Sequence, residues 1–348
     1  MNPRLKATEK QTPGFASLVG QDRPVRLLTA ALARGALPHA FLFTGIEGIG
    51  KKTAARVFAM ACNCFERLSP SQTRPSEDAG MEPCGRCRSC LKITSDNHPD
   101  VIWIRPAGDM IKVDQIRALC GKLALKPYEA ATRFAIIAHA HKLNPEAGNT
   151  LLKTLEEPPA HTVFILTALQ ASDILPTIVS RCQHIRFNPV SVNSLRTYLE
   201  KTHGLEAEKA AAIAAMAGGS ITRAESMIAS AWVRKRDWII DELEALPNRP
   251  VNLCLAFSEA LSKNKDGIFT AFEIMKNWLR DLVIYPSAPE RIINKDLTQK
   301  IKASFQKAPV GDRLQKIRAI ERAEADIRSN ANLRLSLDAL IMTLSREN

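Results

Sequence analysis

The first half of the chain is punctuated by short apolar runs: Ala40–Phe43 (AFLF), Val101–Ile104 (VIWI), Phe134–Ala138 (FAIIA), Val163–Thr167 (VFILT) and His184–Phe187 (HIRF). Each reads as a buried strand. Between them lie helical periodicity, as in Leu27, Leu28, Ala31 and Leu32, or a cysteine-rich insert. Strands alternating with helices predict an α/β domain whose parallel sheet is covered on both faces. Beyond Pro189 the strand signal stops, and segments such as AEKAAAIAAMA and KIRAIERAEADI have the apolar spacing of helices. The pair Gly218-Gly219 and the stretch Pro247–Pro250 punctuate this half, which predicts a small helical domain followed by a larger one. The expected domains are residues 1–188, with a cysteine module at about 62–92, then 189–240 and 241–348. No repeat or low-complexity tract is visible, and the polar stretch Ser69–Gly80 is expected to be a disordered loop.

Length and charge narrow the function. A chain of 348 residues with 45% hydrophobic content folds without disulfides. Its 48 Lys+Arg against 36 Asp+Glu leave a formal charge of +12, which suits an anionic partner such as nucleic acid. The start, MNPRLKATEKQTPG, lacks an apolar signal-peptide core, and no apolar run reaches the roughly 18 residues of a membrane span. A cytoplasmic location is expected. In a reducing compartment the eight cysteines point to metal or core roles and not to disulfides.

GIEGIGKKT, Gly45–Thr53, follows the first strand and opens a helix near Lys51, the context of a phosphate-binding loop. Gly45, Gly48 and Gly50 let backbone N–H groups close around phosphate, and Lys51 supplies a point charge. The hydroxyl that should follow the lysine, to ligate Mg²⁺, is replaced by Lys52. Thr53 is one helical step further, about 100° around the axis, and does not obviously replace it. Hydrolysis also needs an acidic pair at the end of a later strand. The strand at Phe134–Ala138 runs into His139, Ala140 and His141 instead, with no carboxylate before Glu146. The two histidines read as partly exposed loop residues rather than catalytic bases. ATP or ADP binding is expected to be weak or absent.

In CGRCRSC, Cys84, Cys87 and Cys90 stand at C-x₂-C-x₂-C spacing, with Cys62 and Cys64 about twenty residues upstream. Four thiolates in closely spaced turns suit a structural Zn²⁺. An iron–sulfur cluster would want a fourth cysteine soon after Cys90, whereas the next is Cys120. The expected ligands are Cys64, Cys84, Cys87 and Cys90, with Cys62 the alternative to Cys64. Cys120, Cys182 and Cys254 are expected to be buried small hydrophobes.

The order VGQ (Val19–Gln21), GIEGIGKKT, CGRCRSC, HPDV (His98–Val101), NTLLKTLEEPP (Asn149–Pro159) and SRC (Ser180–Cys182) resembles the bacterial sliding-clamp loader family, AAA+ proteins of DNA polymerase III, over residues 13 to 230. The resemblance implies an AAA+ P-loop domain with an inserted zinc module, an all-α lid and an all-α collar domain that packs into a pentameric ring. Aligned on LLKTLEEPP, the family's Walker B Asp-Glu falls on Ala138 and His139, and its P-loop hydroxyl on Lys52. Both departures point to the delta-prime branch, which has a degenerate site, and away from the ATP-hydrolysing gamma/tau branch. The resemblance further implies that Arg181 is an arginine finger acting in trans and that Arg223 is the lid arginine, facing nucleotide or its own interface. The implied partners are gamma/tau and delta subunits in a hetero-oligomer, with the sliding clamp and primed DNA reached through the complex. Any polymerase activity belongs to the holoenzyme. The competing readings are a gamma/tau-type ATPase, including a slow one using Thr53, and a zinc-dependent DNA-binding module with a vestigial P-loop.

Overall fold

The computed structural model describes residues 14–68, 81–263 and 267–346. The loop expected at Ser69–Gly80 and most of the polar N-terminal stretch lie outside the described residues. Contacts divide the chain into two units, residues 1–195 with 219–222, and residues 196–218 with 223–348.

The first unit carries five parallel strands: β1 (Ala40–Thr44), β2 (Val101–Ile104), β3 (Arg133–Ile137), β4 (Thr162–Ala168) and β5 (Gln183–Arg186). Their order is β2-β3-β4-β1-β5. Its helices are α1 (Asp22–Arg34), α2 (Lys51–Asn63), α3 (Phe65–Leu68), α4 (Arg88–Thr94), α5 (Val113–Leu123), α6 (Pro145–Glu156) and α7 (Pro176–Val179), and α8 (Val192–His203) leads out of the unit. Side chains alternate across a strand. Phe41 and Phe43 of β1, Ile136 of β3 and Ile165 of β4 thus share a core with Leu28, Leu32, Val57 and Phe58 of α1 and α2. Leu42, Ile137 and Leu166 share the opposite core with Ile116, Leu119, Leu151 and Leu155 of α5 and α6. The sheet is covered on both faces, as the sequence predicts. The run HIRF is buried only at alternate positions: Ile185 and Phe187 join the core, while in the edge strand β5 Gln183, His184 and Arg186 are exposed.

Residues 219–222 belong to this unit although helices surround them in sequence. Val190 N donates to Gly219 O at 3.1 Å, and Thr222 N donates to Gly48 O at 3.2 Å. Gly219 has φ +80°, and a Cβ there would stand 2.6 Å from Pro189 Cβ and 2.8 Å from Val190 N. Only glycine fits this approach.

The second unit is helical throughout its described residues: α9 (Ala207–Met216), α10 (Ile221–Ala229), α11 (Trp232–Ala245), α12 (Val251–Ser262), α13 (Ile268–Ile284), α14 (Thr298–Ser304), α15 (Val310–Arg328) and α16 (Leu333–Leu344), joined by short 3₁₀ turns. Ile239, Phe272, Trp278 and Ile341 are among its buried side chains. The buried Arg236 is matched by Asp237 at 2.7 Å and by Asp296, whose Oδ1 accepts from Nη1 at 3.0 Å. Such pairing is what makes a buried charge tolerable. The boundary expected between residues 240 and 241 falls inside α11, and the chain turns instead at Leu246–Asn248. Among the described residues no helix is long and apolar enough to cross a membrane.

Candidate nucleotide-loop, cysteine and arginine sites

The glycine loop leaves the end of β1 and enters α2, as the sequence predicts. Gly48 has φ +75°, and a Cβ on it would meet Ser220 Oγ at 2.2 Å. Glycine there lets the loop lie against residues 220–222. Lys51, the first residue of α2, is buried. Its ammonium donates to Gly45 O and, at 2.7 Å, to Ile46 O, so the loop's own carbonyls hold the cation. Burial lowers its pKa to about 8, against an opposing pull from Glu47.

Lys52 points to the end of β3. Its Nζ lies 2.8 Å from His139 Nε2, which accepts the bond as an unprotonated ring nitrogen. On the other side of the ring, His139 Nδ1 lies 3.4 Å from Glu47 Oε1. His139 sits in the left-handed region, φ +56°, anchored by its backbone N donating to Thr167 Oγ1 at 3.0 Å. Burial and then the Lys52 charge lower the basicity of its imidazole, against an opposing pull from Glu47. Burial also lowers the pKa of Lys52, and Arg105 adds to this. Lys52, His139 and Glu47 thus form one chain of polar contacts that joins the glycine loop and the start of α2 to the end of β3. His141 is half-buried, its ring 5.7 Å from that of His139.

A second cluster, without a sequence motif, involves the same helix. Arg56 and Arg105 both pair with Asp96, at 2.8 and 2.6 Å, and each guanidinium lies 5.2 Å from the Trp103 ring centre. Its signal, Arg56 one turn after Lys52, was present but carried no motif.

Four sulfurs converge between α2 and α4. The Sγ atoms of Cys64, Cys84, Cys87 and Cys90 all lie within 4.8 Å of one another. Cys64 follows the last residue of α2, and Cys87 is the N-cap of α4. Backbone N–H groups donate to sulfur, Cys84 N to Cys64 at 3.4 Å and Cys87 N to Cys84 at 3.3 Å. Tetrahedral coordination at zinc–sulfur distances would place sulfurs about 3.8 Å apart, and the Cys84–Cys90 separation is 4.0 Å. These residues could hold a metal ion. Cys62 is not among the four; burial in the core pushes its thiol up to about 12. Of the remaining cysteines Cys254 is buried as expected, but Cys120 and Cys182 are only half-buried, the former with its sulfur 3.1 Å from Thr154 Oγ1.

Arg181 lies between α7 and β5. Its Nη2 donates to Glu156 Oε1 at 2.7 Å, and its Nη1 donates to Thr177 O at 3.0 Å. Arg223 belongs to the second unit and is ion-paired with Glu273. Neither carboxylate was singled out from the sequence, although Glu156 belongs to the LEEPP motif itself.

A family model described as "DNA polymerase III, delta subunit" matches residues 20–191. The chain is 29% identical over 328 residues to DNA polymerase III subunit delta' of Bacillus subtilis (strain 168), covering 93% of this chain and 96% of that protein. It is 32% identical over 298 residues to subunit tau of the same organism, covering 79% of this chain and 51% of the relative. Among solved structures, a DNA polymerase III gamma subunit-related protein of Thermotoga maritima superimposes with a TM-score of 0.39 at 15% identity, over 91% of this chain and 98% of that one.

Proposed function

This chain belongs with the delta-prime subunits of DNA polymerase III, and from that premise we propose that it completes a clamp-loader ring without turning over ATP itself and lends Arg181 to a neighbouring subunit's nucleotide. The observation that carries the first part is the bond between Lys52 and His139. An ammonium takes the place of the metal-binding hydroxyl, Ala138 that of the metal-binding Asp, and the His139 imidazole that of the Glu that orients water. Lys51 and the loop N–H groups retain some attraction for phosphate, and Arg223 is read as the lid arginine, facing nucleotide or its own interface.

For the finger, the support is placement at the start of an edge strand, on a side chain about one-third exposed. A planar, permanently charged guanidinium matches phosphoryl oxygens and needs no chemistry from its own subunit. In this reading the first unit is an AAA+ domain and the helical part supplies a lid and a collar, divided at the turn Leu246–Asn248. The four cysteines hold a structural Zn²⁺, which would crosslink the segments it binds. The partners are gamma/tau and delta subunits, with the clamp and primed DNA reached through the complex in the cytoplasm.

The purified chain is expected to show no Mg²⁺-dependent ATP hydrolysis above background. Robust turnover that Lys51→Ala abolishes would overturn the proposal.

A further inference from the structure

Glu156 is the last residue of α6, and Pro158-Pro159 prevents the helix from continuing. A carboxylate at a helix C-terminus faces the negative end of the helix dipole, so helix stability gives no reason for an acid there. Its partner is Arg181, reached across 25 residues of sequence. The guanidinium is held on two sides: Nη2 by Glu156 Oε1 at 2.7 Å, Nη1 by Thr177 O at 3.0 Å and, more distantly, by Ser180 Oγ at 3.4 Å. Its charge is therefore neutralised within its own subunit. The two side chains remain 36% and 50% exposed, so a new anion can approach either one.

We infer that Glu156 is the resting partner of Arg181 and restrains it, releasing the arginine when a neighbouring subunit's phosphate takes the carboxylate's place. This rests on the trans role proposed for Arg181. A half-exposed ion pair is weak enough to be exchanged, whereas a phosphate presents more charge and a matched pair of oxygens to the same fork. The pair sets a threshold: hydrolysis in the neighbouring site stays low until assembly of the loader on clamp and DNA presents the phosphate firmly enough to win the exchange.

The test uses the reconstituted loader carrying Glu156→Gln, which keeps the side-chain shape and removes the charge. Without clamp and DNA, hydrolysis at the site that Arg181 serves should rise about two- to five-fold, the range that an exposed pair can hold back, and the total rate by that site's share, while the fully stimulated rate changes less. Glu156→Ala, checked for folding by thermal unfolding, should behave alike, and adding Arg181→Ala to Glu156→Gln should erase the rise. A Glu156→Gln loader with both rates lowered would mean that the carboxylate positions the arginine for use, and unchanged rates would mean that the pair restrains nothing. Either result overturns the inference, as does a rise that survives in the double variant. Arg181→Ala alone addresses the underlying reading: if it leaves hydrolysis and loading normal, the trans role fails, whatever Glu156→Gln does.

Discussion

Two lysines one residue apart have opposite fates. Lys51 is folded back onto the carbonyls of Gly45 and Ile46, whereas Lys52 is tied to His139. The burial that lowers Lys51 to about 8 from an ordinary 10.5 has a definite sign. Between these values the unfolded chain still binds the proton and the folded one has released it, so this group's contribution to stability rises with pH across that window. The difference in unfolding free energy between the protein and Lys51→Met should rise from pH 8 to pH 10, and an NMR titration of the Lys51 ammonium should show a midpoint near 8. A midpoint near the ordinary lysine value would mean that Lys51 is solvated. The glycines and both lysines were legible in the sequence because the motif is contiguous. The bond to His139, 87 residues away, was not, because alignment placed both departures without showing that they touch.

The junction of α2 and α4 illustrates what an element contributes. Spacing within CGRCRSC defined three ligands, with Cys64 the expected fourth and Cys62 its alternative. The helix decides between them: Cys62 is still within α2, whereas Cys64 caps its end, and although both are buried only Cys64 brings its sulfur to Cys84, Cys87 and Cys90. With zinc as the proposed ion, freshly purified reduced protein should contain one equivalent by elemental analysis. Cys87→Ser should release it and increase hydrogen exchange in α4, since binding free energy at such a site is also folding free energy. Iron, or no metal, would remove the assignment. Residues 219–222 make a second case. Gly219→Ala imposes a left-handed alanine and a contact of 2.6 Å with Pro189, and should cost about 1–3 kcal/mol in urea unfolding. A loss under about 0.5 kcal/mol, typical of surface changes, would contradict the packing described.

For the molecule as a whole, Arg181 is the residue whose effect should appear only in assembly. Its pair with Glu156 is half-exposed, so Arg181→Ala should shift the stability of the isolated chain by no more than about 1 kcal/mol. In the loader, loss of a finger costs about 10³ or more where it acts in full. On the proposed trans role this subunit serves one site among several, so total hydrolysis should fall partially and clamp loading further. Arg181→Lys should fail as well, since an ammonium lacks the forked geometry. Normal hydrolysis and loading in a fully assembled mutant complex would reduce Arg181 to a partner of Glu156.

Apolar runs, glycine spacing and cysteine spacing are local, and backbone geometry reads them directly. They were enough for five strands, both covered faces, the glycine loop, the clustered sulfurs with Cys62 left as an alternative to Cys64, and the family. Contacts between distant segments have no local signature, because a side chain's partner is set by where the sheet order and helix packing bring other segments. Tertiary structure therefore decided that Lys52 meets His139, that Cys64 and not Cys62 joins the cluster, that β5 is an exposed edge, and that Glu156 holds Arg181.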